Sequence, residues 1–283
     1  MVISSQDLPP LLREIPHPPH LLYSIGDAAT LYQPAIAIVG SRAMTPYGAA
    51  VCEQITAACV RAGLVIVSGL ATGIDAVAHQ TALQHHGQTI AVLGSGLNDS
   101  VMFPSAHRQL ADRIISNHGL LLSEYTEKTV AKRHHFIARN RLLAGLCLAT
   151  VVIEAAERSG AINTAHHALE SNRLVFAVPG SIFSSRSIGT HNLIKQGAIL
   201  VNTPADILSE LNYVSPATHP NLTNISTLQN TILQHLSGGA IHLELLAQQV
   251  DCDIATLQQN LTDLEIKGIV RKNLWSMYEI SHS

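Results

Sequence analysis

The side chains best suited to chemistry lie in one stretch, Lys132 to Ala165. It opens with Lys132, Arg133, His134, His135, Arg139 and Arg141, interrupted by Phe136 and free of acidic residues. An apolar run from Leu142 to Ile153 follows and ends at Glu154. Ser159 and Gly160 then make a turn that opens a helix, whose first turn carries Asn163 and Thr164. Guanidinium groups bind phosphate oxygens in a bidentate fork. A small-residue turn at a helix start offers backbone N–H groups to an anion. The chemistry implied is recognition of phosphate, provided both features converge on one ligand.

Arg42, directly after a buried strand ending in Gly40 and Ser41, is a further candidate. It either clamps phosphate or forms a salt bridge with Asp75 or Glu124 at the same sheet edge. Phe136 either anchors its loop in the core or stacks on a base while the arginines hold adjoining phosphates. For Lys128, Lys132 and Arg133 the competing reading is a solvated basic face. Catalytic chemistry finds less support. Ser41, Ser68, Ser95 and Ser123 lie outside any G-x-S-x-G elbow and read as small turn residues. GSGLND at 94–99 lacks the third glycine of a dinucleotide fingerprint, and no GK[ST] phosphate loop exists. Cys52, Cys59, Cys147 and Cys252 have no paired spacing, and adjacent histidines such as His166 and His167 point to different sides of a helix. No catalytic residue, cofactor or metal is expected.

These side chains are positioned by a regular alternation. AIAIVGSR (35–42) is a short apolar strand ending in glycine, and Thr45 with Pro46 caps a helix to about Arg61. Further strands are expected at the start of 64–75 and at 88–96, 119–124, 146–154, 173–180 and 198–201, with helices between them. Parallel neighbours need helical crossovers, so residues 35–211 form a doubly wound α/β domain with a mostly parallel sheet. Ligands bind beyond the carboxyl ends of such strands, where Gly40, Ser41, Arg42, Gly69, Glu154 and Gly160 all fall. Residues 1–34, rich in proline, read as an irregular lead-in. Residues 212–225 read as a linker. Residues 226–283, three helices and a closing hairpin around Asn273 with Trp275 and Tyr278, read as a small winged-helix domain with Asp253 capping its third helix.

The chain has 283 residues, 47% apolar and 13% charged, which suits a globular protein of two domains. Its net charge of −3 excludes a protein that coats nucleic acid through its overall field. Residues 1–225 hold 14 basic and 14 acidic side chains, and 226–283 hold 3 and 6. Five of those 14 basic residues lie between Lys128 and Arg141. The winged helix is acidic where a duplex reader would be basic, which favours protein contacts, self-association or regulation, with Gln258, Gln259 and Asn260 leaving weak base reading open. The Met1 end lacks a charged head followed by an apolar core, and Leu142–Ile153 is too short to span a bilayer. A cytoplasmic protein without membrane contact is expected.

Taken together, IVGSR with TPYG (38–48), SGLATGIDAVAH (68–79), TIAVLGSGL (89–97), LLSE (121–124), ARNRLLAGL (138–146), VIEA with SGAINTA (152–165) and FAVPG (176–180) closely resemble the DNA-processing protein A family, also called Smf. The resemblance covers almost the whole α/β domain, and the C-terminal winged helix is also similar to one that many members carry. It implies an extended Rossmann-like fold that binds single-stranded DNA without cleaving it, forms a homodimer and loads the RecA recombinase during natural transformation. By the same resemblance Arg42, Arg139 and Arg141 contact the DNA backbone, with Ser41, Gly69, Phe136, Gly160, Asn163 and Thr164 lining the pocket; Lys132 and Arg133 join the DNA-binding set from the basic cluster itself. Thr72 stands where the family usually has arginine, Phe103 where tyrosine precedes Pro104, Ile137 where proline is usual, and Asn163 lies in a segment that usually reads SGSLIT.

The alternative is an enzyme. Related Rossmann proteins hydrolyse nucleoside monophosphates, with Glu154 as acid or base, although the PGG-x-GT-x-x-E run they usually show is absent.

Overall fold

A computed structural model describes residues 1–213, 226–236, 241–250, 252–266, 269–272 and 277–280. Two compact units divide the chain at Pro216 and Ala217. The first contains β1 (Val2–Ser4), α1 (Pro10–Arg13), β2 (Leu21–Gly26), β3 (Ala35–Val39), α2 (Pro46–Arg61), β4 (Val65–Ser68), α3 (Ile74–Gln84) and β5 (Thr89–Leu93). It continues with α4 (Arg108–Ser116), β6 (Leu120–Ser123), α5 (Arg133–Gly145), β7 (Ala149–Val152), α6 (Gly160–Glu170), β8 (Leu174–Ala177), α7 (Ile188–Lys195), β9 (Ile199–Leu200) and α8 (Pro204–Glu210).

The strands form one nine-stranded sheet in the order β1-β2-β6-β5-β4-β3-β7-β8-β9. From β6 to β9 every neighbouring pair is parallel. Each of these strands is an apolar run because helices cover both faces. Side chains of β3 alternate between the two layers. Ile36 and Ile38 pack with Cys52, Ile55 and Ile74 on one face, whereas Ala37 and Val39 pack with Leu142, Leu143 and Ala161 on the other. The doubly wound, mostly parallel sheet expected from sequence is present.

The lead-in is where sequence and structure part. Residues 1–34, expected to be irregular, contribute β1 and β2 to the same sheet. β2 pairs antiparallel with β6, Tyr23 opposite Ser123 and Gly26 opposite Leu120. Leu8, Leu12, Ile15 and Leu22 of this segment are buried in the main core. No local pattern announces this, because the partner strand lies far along the chain.

The second unit contains α9 (Thr227–Leu236), β10 (Ile241–His242), α10 (Leu243–Val250), α11 (Ile254–Ile266), β11 (Val270–Lys272) and β12 (Met277–Ile280). Its three strands pair in the order β10-β12-β11. Ile232, Leu236, Leu246, Leu257, Leu261 and Leu264 form its core. Asp253 caps α11 as expected, accepting the Thr256 N–H at 2.9 Å. Most of the expected linker, with Lys267, Asn273 and Trp275, lies outside the described residues. Among those described, no helix is long and apolar enough to cross a membrane.

Candidate nucleic-acid interface

The direction of chain winding reverses at β3: β4, β5 and β6 follow on one side and β7, β8 and β9 on the other. Loops leaving β3 and β7 therefore diverge and leave a crevice at the carboxyl edge. A pocket of about 880 Å³ occupies it. One wall is the turn after β3, with Ser41 and Arg42; the opposite wall is Arg158, Ser159 and Gly160 at the start of α6. The floor is a face of α5 bearing Arg133, Phe136 and Asn140.

Helical periodicity explains which side chains of α5 reach this floor. Arg133, Phe136, Asn140 and Leu143 share one face and line the pocket. His135, Arg139 and Leu142 lie on a buried face, with Arg139 only 5% exposed. The Arg139 guanidinium donates through Nη1 to the carbonyls of Gly69, at 3.0 Å, and Val92. Burial lowers the guanidinium's pKa to about 10, against the opposing pull of Asp75. Asp75 is pushed up by its own burial, and Arg139 together with amide donors from Gly69 (3.1 Å) and Ala71 (3.4 Å) counters that push. Arg139 lines the pocket from beneath, with Nη1 bonded to carbonyls at the ends of β4 and β5 and Nε buried without a hydrogen-bond partner. Arg139, expected at the phosphates, here also braces the ends of β4 and β5. Gly69 does not line the pocket; it is glycine because a Cβ there would come within 2.5 Å of Arg139 Nη1.

Arg141, also expected at the phosphates, is paired within the protein. Its Nη2 donates to Glu124 Oε1 at 2.5 Å, with both side chains about one-fifth exposed, and it does not line the pocket. Lys132, the residue before α5, is exposed and also outside the lining. The salt bridge to Asp75 or Glu124 weighed for Arg42 does not form. Arg42 instead lies over the Phe136 ring, its Cζ 5.6 Å from the centroid.

Phe136 combines the two roles weighed for it. It is half-buried, packs on Phe103 with centroids 5.4 Å apart, and rests on Gly94, where a Cβ would come within 2.7 Å of the ring. It also lines the pocket. Asn140 Nδ2 donates to the Gly160 carbonyl at 3.2 Å and to Asn163 Oδ1 at 3.1 Å. A carbonyl can only accept, so this network fixes both amides and leaves Asn163 with its amino group uncommitted to Asn140. Ser159 caps α6, its hydroxyl accepting the Ala161 N–H at 3.2 Å. The buried Thr164 hydroxyl donates back to the Gly160 carbonyl at 3.3 Å.

The structure thus gathers Ser41, Arg42, Arg133, Phe136, Arg139, Gly160, Asn163 and Thr164 around one pocket and leaves Gly69, Lys132 and Arg141 outside. Sequence reasoning missed Arg158, Asn140 and the lining role of Phe103. The position of Arg158, immediately before the Ser159–Gly160 turn, was the available signal. Arg42, Arg133 and Arg158 are exposed and form no ion pair among the described residues. Among those residues no cluster could hold a metal ion. Glu154 is withdrawn from the pocket: its carboxylate accepts the Thr45 N–H at 2.9 Å and the Thr45 hydroxyl at 2.6 Å.

Comparison with known proteins agrees with this architecture. A family profile described as DNA recombination-mediator protein A matches residues 1–212, and one described as DprA winged helix domain matches 216–272. The chain is 46% identical over 202 residues to DNA processing protein DprA of Streptococcus pneumoniae, covering 71% of this chain and 70% of the relative. It is 35% identical over 273 residues to Protein Smf of Escherichia coli, covering 93% and 72%. The crystal structure of the Streptococcus pneumoniae protein superposes with a TM-score of 0.70 at 44% identity, over 74% of each chain. A Helicobacter pylori DNA processing protein A, whose structure concerns its single-stranded DNA binding mode, gives a TM-score of 0.67 at 28% identity, over 76% of this chain and 98% of its own. With both its units matched in order, the chain belongs to the DNA recombination-mediator protein A family, whose members carry the names DNA processing protein DprA and Smf.

Proposed function

We propose that this protein binds single-stranded DNA in the pocket at the carboxyl edge of the sheet, without cleaving it, and delivers the strand to the RecA recombinase during transformation or recombination. The observation that carries the reading is the ring of unpaired guanidinium groups, Arg42, Arg133 and Arg158, around the half-buried Phe136. Three cations held apart in this way suit a flexible backbone, and an aromatic floor between them suits an unpaired base. The N-terminus of α6 adds its amide dipoles to one wall. The Helicobacter pylori relative, with its single-stranded DNA binding mode, supports the choice of ligand.

The family's description as a recombination mediator supports a recombinase as recipient. A homodimer through the first unit draws support from β9, an edge strand on which Leu200 is exposed. The acidic winged helix is assigned to protein contact, and the whole assembly to the cytoplasm. Against hydrolysis of nucleoside monophosphates with Glu154 as acid or base, Thr45 engages both Glu154 oxygens. Asp75, the carboxylate that does line the pocket, is buried and held by backbone amides.

Binding of single-stranded and duplex oligonucleotides across a salt series tests the reading. Tighter binding to single strands is expected, with a log–log salt slope near −2, about −0.7 for each of three phosphates. Equal affinity for duplex, or release of free base from a nucleotide panel, would overturn it.

A further inference from the structure

The two most exposed large apolar side chains among the described residues are neighbours: Phe183 at 93% and Ile182 at 81%. They sit at the tip of the loop between β8 and α7, with nothing packed over them. Exposed apolar pairs of this kind mark a surface that another molecule covers.

The position of the loop indicates which molecule. It leaves the carboxyl end of β8, on the edge of the sheet that holds the pocket. Its far end is tied to the pocket wall: the Ala155 N–H donates to the Arg186 carbonyl at 2.7 Å, and the Gly189 N–H donates to the Ala155 carbonyl at 2.8 Å. Ala156, the next residue, lines the pocket, and Arg158 follows two residues later. Its near end is tied to the first turn of α2, the helix that follows the other wall: the Tyr47 hydroxyl donates to the Pro179 carbonyl at 2.8 Å. Tyr47 stands in the first turn of α2, just past the Arg42–Ala43 turn, and its ring is half exposed. Residues 178–187, VPGSIFSSRS, contain Arg186 and no acidic side chain. The tip is held outward by its own turns, with Ser184 N–H donating to the Ser181 carbonyl at 3.0 Å and Ser187 N–H to the Ser184 carbonyl at 3.1 Å.

We infer that the loop carrying Phe183 is a second stacking station for single-stranded nucleic acid, engaged by bases that leave the pocket past Tyr47. The proposal rests on the reading of the pocket as a strand-binding site and extends it beyond the pocket rim. An aromatic ring stacks on any base, so the station lengthens the site without adding sequence preference. A strand too short to leave the pocket does not reach it.

Oligothymidines of about 6 and about 20 nucleotides separate the two levels. Phe183→Ala is expected to leave affinity for the short strand within about twofold and to weaken the long strand about tenfold, the loss of one stacked base. Phe183→Trp is expected to restore the long-strand affinity, and Phe183→Leu is not. Unchanged long-strand affinity in Phe183→Ala overturns the proposal, as does full rescue by leucine. A change of oligomeric state in Phe183→Ala, with DNA binding intact, overturns it in favour of a protein contact. Failure of the pocket reading shows differently: the wild type then fails to bind the short strand, or Arg42→Ala binds it with an unaltered salt slope. At 93% exposure Phe183 contributes no core packing, so each variant is expected to fold.

Discussion

Arg139 Nη1 donates to the carbonyl of Gly69 at 3.0 Å, joining the middle of α5 to the end of β4. This bond makes Arg139 part of the scaffold that holds the pocket floor. Arg139→Ala would leave Asp75 buried without its nearest positive partner, and is expected to cost about 3 kcal/mol of stability. Arg139→Lys should recover only part of this, because an ammonium does not reproduce the planar fork. Urea unfolding of both variants beside Arg42→Ala checks the assignment, with Arg42→Ala expected within about 0.5 kcal/mol of wild type. Wild-type stability in Arg139→Ala would refute the brace.

Charge at the rim should be read by salt dependence. Arg42→Ala, Arg133→Ala and Arg158→Ala are each expected to reduce the magnitude of the single-strand salt slope by about 0.7. Arg141→Ala should leave it unchanged, since Glu124 already holds that guanidinium. Titrations at several potassium concentrations decide, and a lower slope for Arg141→Ala with none for Arg158→Ala would invert the assignment.

Thr72 offers the reverse experiment. It is exposed beside Ala71, which lines the pocket. Thr72→Arg is expected to bind single strands more tightly at low salt and to steepen the slope by about 0.7. An unaltered slope would show that position 72 faces away from the strand.

His79 should make stability depend on pH. Its Nδ1 lies 2.7 Å from the Thr89 hydroxyl, whose own hydrogen goes to the Ile66 carbonyl, so Nδ1 carries the proton and Nε2 is bare. Burial lowers the imidazole's pKa from 6.5 to about 3. The unfolded chain therefore binds a proton between pH 6.5 and 3 that the folded chain refuses, and stability falls as pH drops through that window. The contribution between pH 7 and pH 5 is about 2 kcal/mol. Denaturant midpoints of wild type and His79→Leu at the two pH values isolate it; an equal pH loss in both would exclude His79 as the cause.

Much of this fold is legible in the chain. Apolar runs ending in small residues mark β3 to β8, and Thr45 with Pro46 marks the start of α2, because local composition suffices for elements that bury both faces or cap themselves. Arg139 and Arg141 show what composition hides. Counting charges puts both arginines in a basic cluster, but the phase of α5 sends one beneath the pocket and Glu124 pairs with the other. The buried Leu142 held part of that phase information, since Arg139 lies three residues before it. Glu124 lies on another element, and no local signal reports such a partner. Strand β2 was hidden for the same reason, its hydrogen bonds being made to β6.

That pairing has a consequence for assembly. By lying against β6, β2 leaves the row Leu120, Leu121 and Leu122 with no free backbone edge. A chain beginning after residue 34 would present that leucine row as a bare strand, ready to pair with the same row of another copy. The proline-rich opening segment is thus a guard against aggregation, and truncation there is expected to fail through insolubility before DNA affinity can be measured.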